Sequence, residues 1–402
     1  MTLKTVLFVA YGSGHINMLI PVALAIAATG IARPVVLALT TAAGPARAAG
    51  LEVVQFKDFV EPGDAQALQH GRRLMAGLKT PVVDADETTA YLGLSFTDLV
   101  TELGLQEAEL RYSELGRQAF LPLATLDRII KKIKPSLVVA TNSPRAERAA
   151  IMAARELHIP AVCVVDLFAI DEVKWLGQTH YADRVCVLNP SVRQFLLAAG
   201  RRAEQVVVTG NPAFDALNSA DAVAEGQRLR HALGWLGKRV IVWPMQVEPA
   251  VHPFDGTAGD TSLPARALDQ VVAWVLARKD VVLCIRSRAG EHPPVAPDDS
   301  RIHLTGQDWP LAPLLHAADL VVTIGSTVGL EGHLAGCRLV QVLGSVFDGA
   351  MPLLEYAIAD EAVHVAGIAQ ALNHWIDMPR HSVQQLQPAT VSVLGVVTEF
   401  LK

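Results

Sequence analysis

Cysteine is scarce in this chain and charge is thin. Four cysteines in 402 residues, Cys163, Cys186, Cys284 and Cys337, stand far apart, and no C-x-x-C pair occurs. That spacing supports neither a zinc knuckle nor a disulfide framework, and the expected compartment is a reducing cytoplasm. Only 18% of the residues are charged, 34 Lys and Arg against 40 Asp and Glu, for a formal charge of −6. Bulk charge of that sign argues against a nucleic-acid binder held by net charge and leaves only local basic patches. No apolar run reaches the roughly 18–20 residues that span a bilayer. Met18 to Ala32 comes nearest and is too short. Lys4 before Val6-Leu7-Phe8-Val9-Ala10 has the look of a secretory leader, but Gly12, Gly14 and His15 interrupt it. There is no internal repeat, no low-complexity tract and no H-x-x-x-H pair, so no metal site is expected.

What is abundant is apolar surface, 51% of the residues. The length suits two domains of about 200 residues each. Short apolar runs alternate with helical patterns. The first forty residues read as strand (Thr5 to Ala10), glycine turn, helix (about Asn17 to Thr29, with Pro21 in its first turn and Gly30 as C-cap) and strand (Pro34 to Leu39). Further strands are expected at 133–140, 160–165, 184–188 and 205–208, and a second series at 239–243, 281–285, 301–304, 320–324 and 338–342. Residues 61–130 read as a mostly helical insertion and 382–402 as a terminal helix. Strands alternating with helices predict α/β architecture with two doubly wound parallel sheets. The domains are expected at 1–212 and 213–380, with 381–402 packing back on the first.

Four groups of residues carry chemistry. In the turn Tyr11-Gly12-Ser13-Gly14-His15, the glycines suit a tight strand-to-helix connection whose free N–H groups and helix dipole face an anion. A plain tight turn explains the same residues. A dinucleotide fingerprint needs a third glycine where Asn17 stands and an acid ending the second strand, where Thr40-Thr41 stand, so NAD is disfavoured. His15 falls at the carboxyl end of the first strand, the edge that faces ligands in open α/β sheets. It is a candidate proton acceptor, or else a brace for the loop.

The second group runs from Ala318-Asp319 through Gly325-Ser326-Thr327 to Glu331 and Gly336. It reads as buried strand, hydroxyl-rich turn and helix start. Glu331, one turn into that helix, suits the two hydroxyls of a ribose, or else only the helix dipole. The third, Thr209-Gly210-Asn211-Pro212, closes the first strand series. The fourth is Arg286-Ser287-Arg288, where a basic residue would neutralise a diphosphate leaving group or simply sit in solvent. Gln246, after the strand 239–243, is a weaker phosphate candidate.

Gly12-Ser13-Gly14-His15-Ile16-Asn17 resembles the N-terminal signature of GT-B glycosyltransferases that use UDP-sugars, with Met18 where the family often has Pro. The segment from Ala318 to Gly336 resembles the nucleotide-sugar signature of the same enzymes, and Val206 to Pro212 the element that ends their first domain. The resemblance implies two Rossmann-like domains facing a cleft, His15 as base or acceptor ligand, and nucleotide binding by Ser326, Thr327 and Glu331. It implies a nucleotide-sugar that is substrate, no cofactor, and chemistry without a metal. The implied acceptor is a sugar, lipid-linked or polysaccharide hydroxyl in bacterial surface or glycoconjugate synthesis, met at the inner membrane face. Lys131, Lys132 and Lys134 are few for docking a membrane and read as a solvated helix end. Asp84-Ala85-Asp86 matches the metal motif of the other glycosyltransferase fold but follows no buried strand, and reads as a helix N-cap.

The order of elements also resembles UDP-N-acetylglucosamine 2-epimerase. There Thr141-Asn142-Ser143 and Asp166 take the places of acidic residues, and Gln246-Val247-Glu248-Pro249 that of a His-Arg-x-Glu-Asn element. Glu248 and Asp166 would be the acid and base of that reaction. A third reading is a sensor that binds a nucleotide-sugar without turnover.

Overall fold

The computed structural model describes residues 3–78, 84–252, 255–287, 297–306, 308–383 and 387–402. The described residues form two compact units, within 3–213 with 387–402, and within 214–383.

The first unit holds seven strands: β1 Lys4–Ala10, β2 Ala32–Ala38, β3 Glu52–Val54, β4 Leu137–Thr141, β5 Ala161–Val164, β6 Arg184–Val187 and β7 Val206–Val208. They pair in parallel in the order β3-β2-β1-β4-β5-β6-β7. The second unit holds six: β8 Arg239–Pro244, β9 Val281–Arg286, β10 Ile302–Thr305, β11 Leu320–Thr323, β12 Arg338–Val342 and β13 Glu361–Val363. Their order is β10-β9-β8-β11-β12-β13, again parallel. Strand order therefore reverses between β1 and β4 in one unit and between β8 and β11 in the other. A doubly wound sheet opens a ligand crevice at such a reversal, beyond the carboxyl ends of the strands.

The central strands are apolar because both faces are covered. In the first unit Phe8, Val36, Val139 and Val164 share one core with the helix Gly14–Thr29, and the last helix, Ala389–Glu399, joins it through Val393, Val396 and Val397. Lys4 Nζ donates to the Leu401 carbonyl at 2.7 Å, tying the two chain ends together.

Several boundaries differ from the sequence expectation. The first helix begins at Gly14, so Pro21 lies inside it and not in its first turn; the bond its missing N–H would make is forgone. Ile133 closes a helix, not a strand: Lys134 takes a left-handed C-cap and β4 starts at Leu137. The terminal helix starts at Ala389, not Ser382. β3 and β13 were not expected. Each has three residues at a sheet edge and is only partly buried, so neither shows an apolar run. Asp84 caps the helix Ala85–Leu103, accepting from the N–H groups of Asp86 and Glu87, and pairs with Lys57 at 2.6 Å. No described helix is long and apolar enough to cross a membrane.

Candidate active site

Each reversal point carries a constellation of polar side chains. In the first unit β1 and β4 run side by side, Val9 opposite Ala140, so the chain beyond Ala10 and the chain at Thr141 meet. Gly12 sits there because nothing larger fits: a Cβ would stand 1.8 Å from Thr41 Oγ1. Gly14 has open space and an ordinary φ, so the paired-glycine reading of this turn holds only for Gly12. The unusual backbone belongs to Ser13, at φ 59°, a non-glycine residue in a region that costs on the order of 1–3 kcal/mol. Ser13 and Asn17 are exposed, and the Asn17 N–H returns to the Ser13 carbonyl at 3.3 Å.

His15 lies one residue into the helix, part-buried. Its Nδ1 is 2.8 Å from Thr141 Oγ1. The Thr141 hydroxyl donates to Glu147 Oε1 at 3.2 Å, and the same oxygen accepts the Tyr11 N–H at 2.8 Å. Glu147 is wholly buried, and burial holds its carboxyl above the usual range, with the charge of His15 pulling the other way. On the opposite side of the ring, His15 Nε2 is 4.0 Å from Asp166 Oδ2. Asp166 is fixed from three directions. Its Oδ1 accepts from Asn142 Nδ2 at 3.0 Å and from the Leu167 N–H at 2.7 Å, and its own N–H donates to Asn142 Oδ1 at 3.0 Å. Asn211 is buried. Its Nδ2 donates to the Asp166 carbonyl at 2.8 Å, and its Oδ1 receives the Ala213 N–H. It thereby pins the Asp166 loop. Gly210 beside it has φ 78°. Glu172, half-buried nearby, is pushed up to about 7 by burial and then by the charge of Asp166.

Thus His15, Asp166 and Asn211 share one network, together with Thr141, Asn142 and Glu147. Glu147 went unremarked in the sequence although it left a signal. It stands with Ala150, Ile151 and Ala154 at i, i+3, i+4 and i+7 on the buried side of the helix Ala146–Glu156, a charge in the middle of an apolar stripe.

In the second unit the turn after β11 meets the loop after β8. Gln246 Oε1 accepts the Gly325 N–H at 2.6 Å and the Thr323 hydroxyl at 3.3 Å. Thr323 Oγ1 accepts the Ser326 N–H, and Ser326 Oγ caps the helix Thr327–Leu334 through the Val328 N–H. Gln246 therefore braces the turn from beneath. Thr327 is exposed at the helix start, and Gly325 and Ser326 are half-buried. Gly329 and Gly332 let this helix lie close on its strand: a Cβ at either would come within 2.6 Å of Thr323 or Val321. Glu331 is pushed up to about 7 by burial, partly offset by the charge of Arg286. Arg286 itself is buried at the end of β9 and donates to the carbonyls of Gly306 and Trp309 at 3.1 and 2.8 Å. The solvated-loop alternative for Arg286 is thereby excluded; Arg288 lies outside the described residues. Asp319 opens β11 at the amino end, away from the crevice. It takes Arg230 through both oxygens and the Val240 N–H at 2.8 Å, so it fastens the fold. Glu248 is buried with both oxygens engaged, by Ser345 Oγ at 2.7 Å and the Val346 N–H at 2.8 Å. Among the described residues no three His, Cys, Asp or Glu side chains are grouped as a metal ion would require.

Scanned against protein-family models the sequence matches none, and no curated protein matches it. Solved structures do. The MnaA–UDP complex of S. aureus superposes with a TM-score of 0.59 at 13% identity, over 99% of this chain and 97% of that one. UDP-GlcNAc 2-epimerase from Neisseria meningitidis, bound to UDP-GlcNAc, gives 0.59 at 11% over 98% and 100%. The calicheamicin glycosyltransferase CalG4 gives 0.57 at 16% over 100% and 99%. The chain has the fold these proteins share: GT-B, two Rossmann-like α/β units on parallel sheets of seven and six strands.

Proposed function

We propose that the chain transfers a sugar from a nucleotide-sugar, a UDP-sugar first among donors, to a hydroxyl acceptor. The first unit supplies the base and the second holds the nucleotide. His15 Nε2 takes the proton of the acceptor hydroxyl as its oxygen bonds to the anomeric carbon. The bond from that carbon to the diphosphate breaks, and the nucleoside diphosphate leaves with the electron pair. A positioned base of this kind contributes typically about 10²–10⁴-fold. Glu331 accepts the ribose hydroxyls, and the turn Gly325-Ser326-Thr327 faces the phosphates.

The observation that carries this reading is the contrast between two residues. His15 is part-exposed at a strand-order reversal, where a substrate proton can reach it. Glu248, which an epimerase reading would employ, is buried with both oxygens occupied. Epimerisation keeps one support of its own, the Asp166 carboxyl beside His15, a second acid–base group at the same edge.

The test is a donor screen. UDP-, GDP-, CMP- and dTDP-sugars are compared by the rise in melting temperature that mass action gives a ligand of the native state. The best donor is then incubated with hydroxyl acceptors and the products separated. Sugar transfer or slow donor hydrolysis, lost about 10²–10⁴-fold in His15→Ala, is the expected result. An epimerised donor sugar overturns transfer, and binding without any turnover leaves a sensor.

A further inference from the structure

The hydroxyl of Thr141 has one proton and two neighbours that want it, Glu147 Oε1 and His15 Nδ1. As a carboxylate Glu147 can only accept, and its Oε1 takes both the Tyr11 N–H and the Thr141 hydroxyl proton. Toward His15, Thr141 Oγ1 then offers only a lone pair. The contact of 2.8 Å requires the proton on Nδ1. In a neutral imidazole that leaves Nε2 bare.

We infer that Thr141 and Glu147 are positioning residues that fix His15 in the tautomer with Nδ1 protonated and Nε2 open, Glu147 acting only through the Thr141 hydroxyl. The inference deepens the reading of His15 as base and rests on it for its catalytic meaning, though not for the tautomer itself. Glu147 is wholly buried on the apolar side of its helix, where an unneeded carboxyl is costly. Its Oε1 collects two donors, the main chain that leads into the histidine turn and the hydroxyl that faces the ring. One carboxyl oxygen thus sets both the path of the turn and the direction of the hydroxyl proton. The arrangement also holds through turnover: when Nε2 gains the acceptor proton, Nδ1–H stays on Thr141 Oγ1 and no second proton moves.

The test reads the tautomer in the resting protein, with no substrate, by nitrogen chemical shifts of ¹⁵N-labelled histidine at about pH 8.5, where an ordinary imidazole is neutral. In the parent, His15 is expected with Nδ1 protonated. Thr141→Ser keeps that state. Thr141→Val, nearly the same shape without the hydroxyl, loses it, and Glu147→Leu does so too by freeing the Thr141 proton to turn toward the ring. Glu147→Gln keeps it, because an amide oxygen still accepts both donors. With the donor found by screening, Thr141→Val is expected to lose about tenfold to hundredfold in kcat, part of what a general base supplies, with KM for the donor unchanged and Thr141→Ser restoring most of the rate. If Glu147→Leu fails to fold, Thr141→Val still decides. His15 protonated on Nε2 in the parent, or unmoved in Thr141→Val, overturns the inference. A parent without sugar transfer removes the reading of His15 as base and leaves the tautomer measurement to judge the relay.

Discussion

His15 Nε2 and Asp166 Oδ2 stand 4.0 Å apart, with side chains 26% and 32% exposed. At this distance the pair is an electrostatic contact and not a hydrogen bond. Solvent screens a pair this exposed, so the contribution is about 0.2–1 kcal/mol. Asp166→Asn is therefore expected to lower turnover by at most about fivefold. Steady-state rates of Asp166→Asn and His15→Ala, measured side by side, check it. A dead Asp166 variant beside an active His15 variant would make the carboxylate the base and favour epimerisation.

Glu331 gives a pH dependence. Its carboxyl is raised from 4.5 to about 7 in the folded chain. Between these values the folded protein holds a proton that the unfolded chain has released, so stability falls as pH rises from about 4.5 to 7. Glu331→Gln removes this term. The variant is expected to match the parent near pH 4 and to exceed it near pH 8 in urea unfolding, by an amount on the order of a few kcal/mol. Uridine, which has no phosphate to titrate in this range, is expected to bind the parent more tightly as Glu331 ionises, and Glu331→Ala to lose about 1.5–3 kcal/mol of that affinity at pH 8. Calorimetry showing equal uridine binding by both would remove Glu331 from the nucleotide site.

Arg286 is expected to act on Glu331 and on its own loop at once. Arg286→Met removes the charge that lowers the Glu331 carboxyl and the donor to the carbonyls of Gly306 and Trp309. The midpoint of the Glu331 transition should move upward, and unfolding should occur at lower urea. Carbon-13 titration of the Glu331 carboxyl reads the first effect directly, and an unmoved midpoint would contradict the charge coupling.

Asp319→Ala separates the structural part of the 318–336 signature from its binding part. It leaves Arg230 and the Val240 N–H without their buried acceptor. Breaking a buried pair of this kind costs about 3–5 kcal/mol. The melting temperature should fall while nucleotide affinity of the folded protein is retained. Lost affinity at full stability would place Asp319 in the site instead.

The two glycines of the first turn should part company. Gly12→Ala meets Thr41 Oγ1 and is expected to cost about 1–3 kcal/mol, partly recovered in the double variant with Thr41→Ala. Gly14→Ala enters open space at a helix start and is expected to be neutral or stabilising by up to about 1 kcal/mol. Denaturant melts of the three variants decide it.

The alternation of apolar runs with helical stretches was enough to determine the α/β class and both parallel sheets, because a strand buried on both faces must be apolar throughout. Composition and spacing carried the turns as well: His15 after β1 and Gly325-Ser326-Thr327 after β11 are legible as strand-to-helix corners wherever the chain goes. The edge strands β3 and β13 were not legible, since three residues of which none is fully buried carry no period. Nor were the partners. Residues 126 positions apart, His15 and Thr141, touch only because β4 inserts beside β1, and Gln246 reaches Gly325 only because β11 pairs with β8. Which side of a glutamine, an arginine or an aspartate faces ligand and which faces the fold depends on those pairings. Tertiary structure therefore supplied the partners of Gln246, Asn211 and Asp319, and set one buried carboxyl, Glu147, behind the histidine.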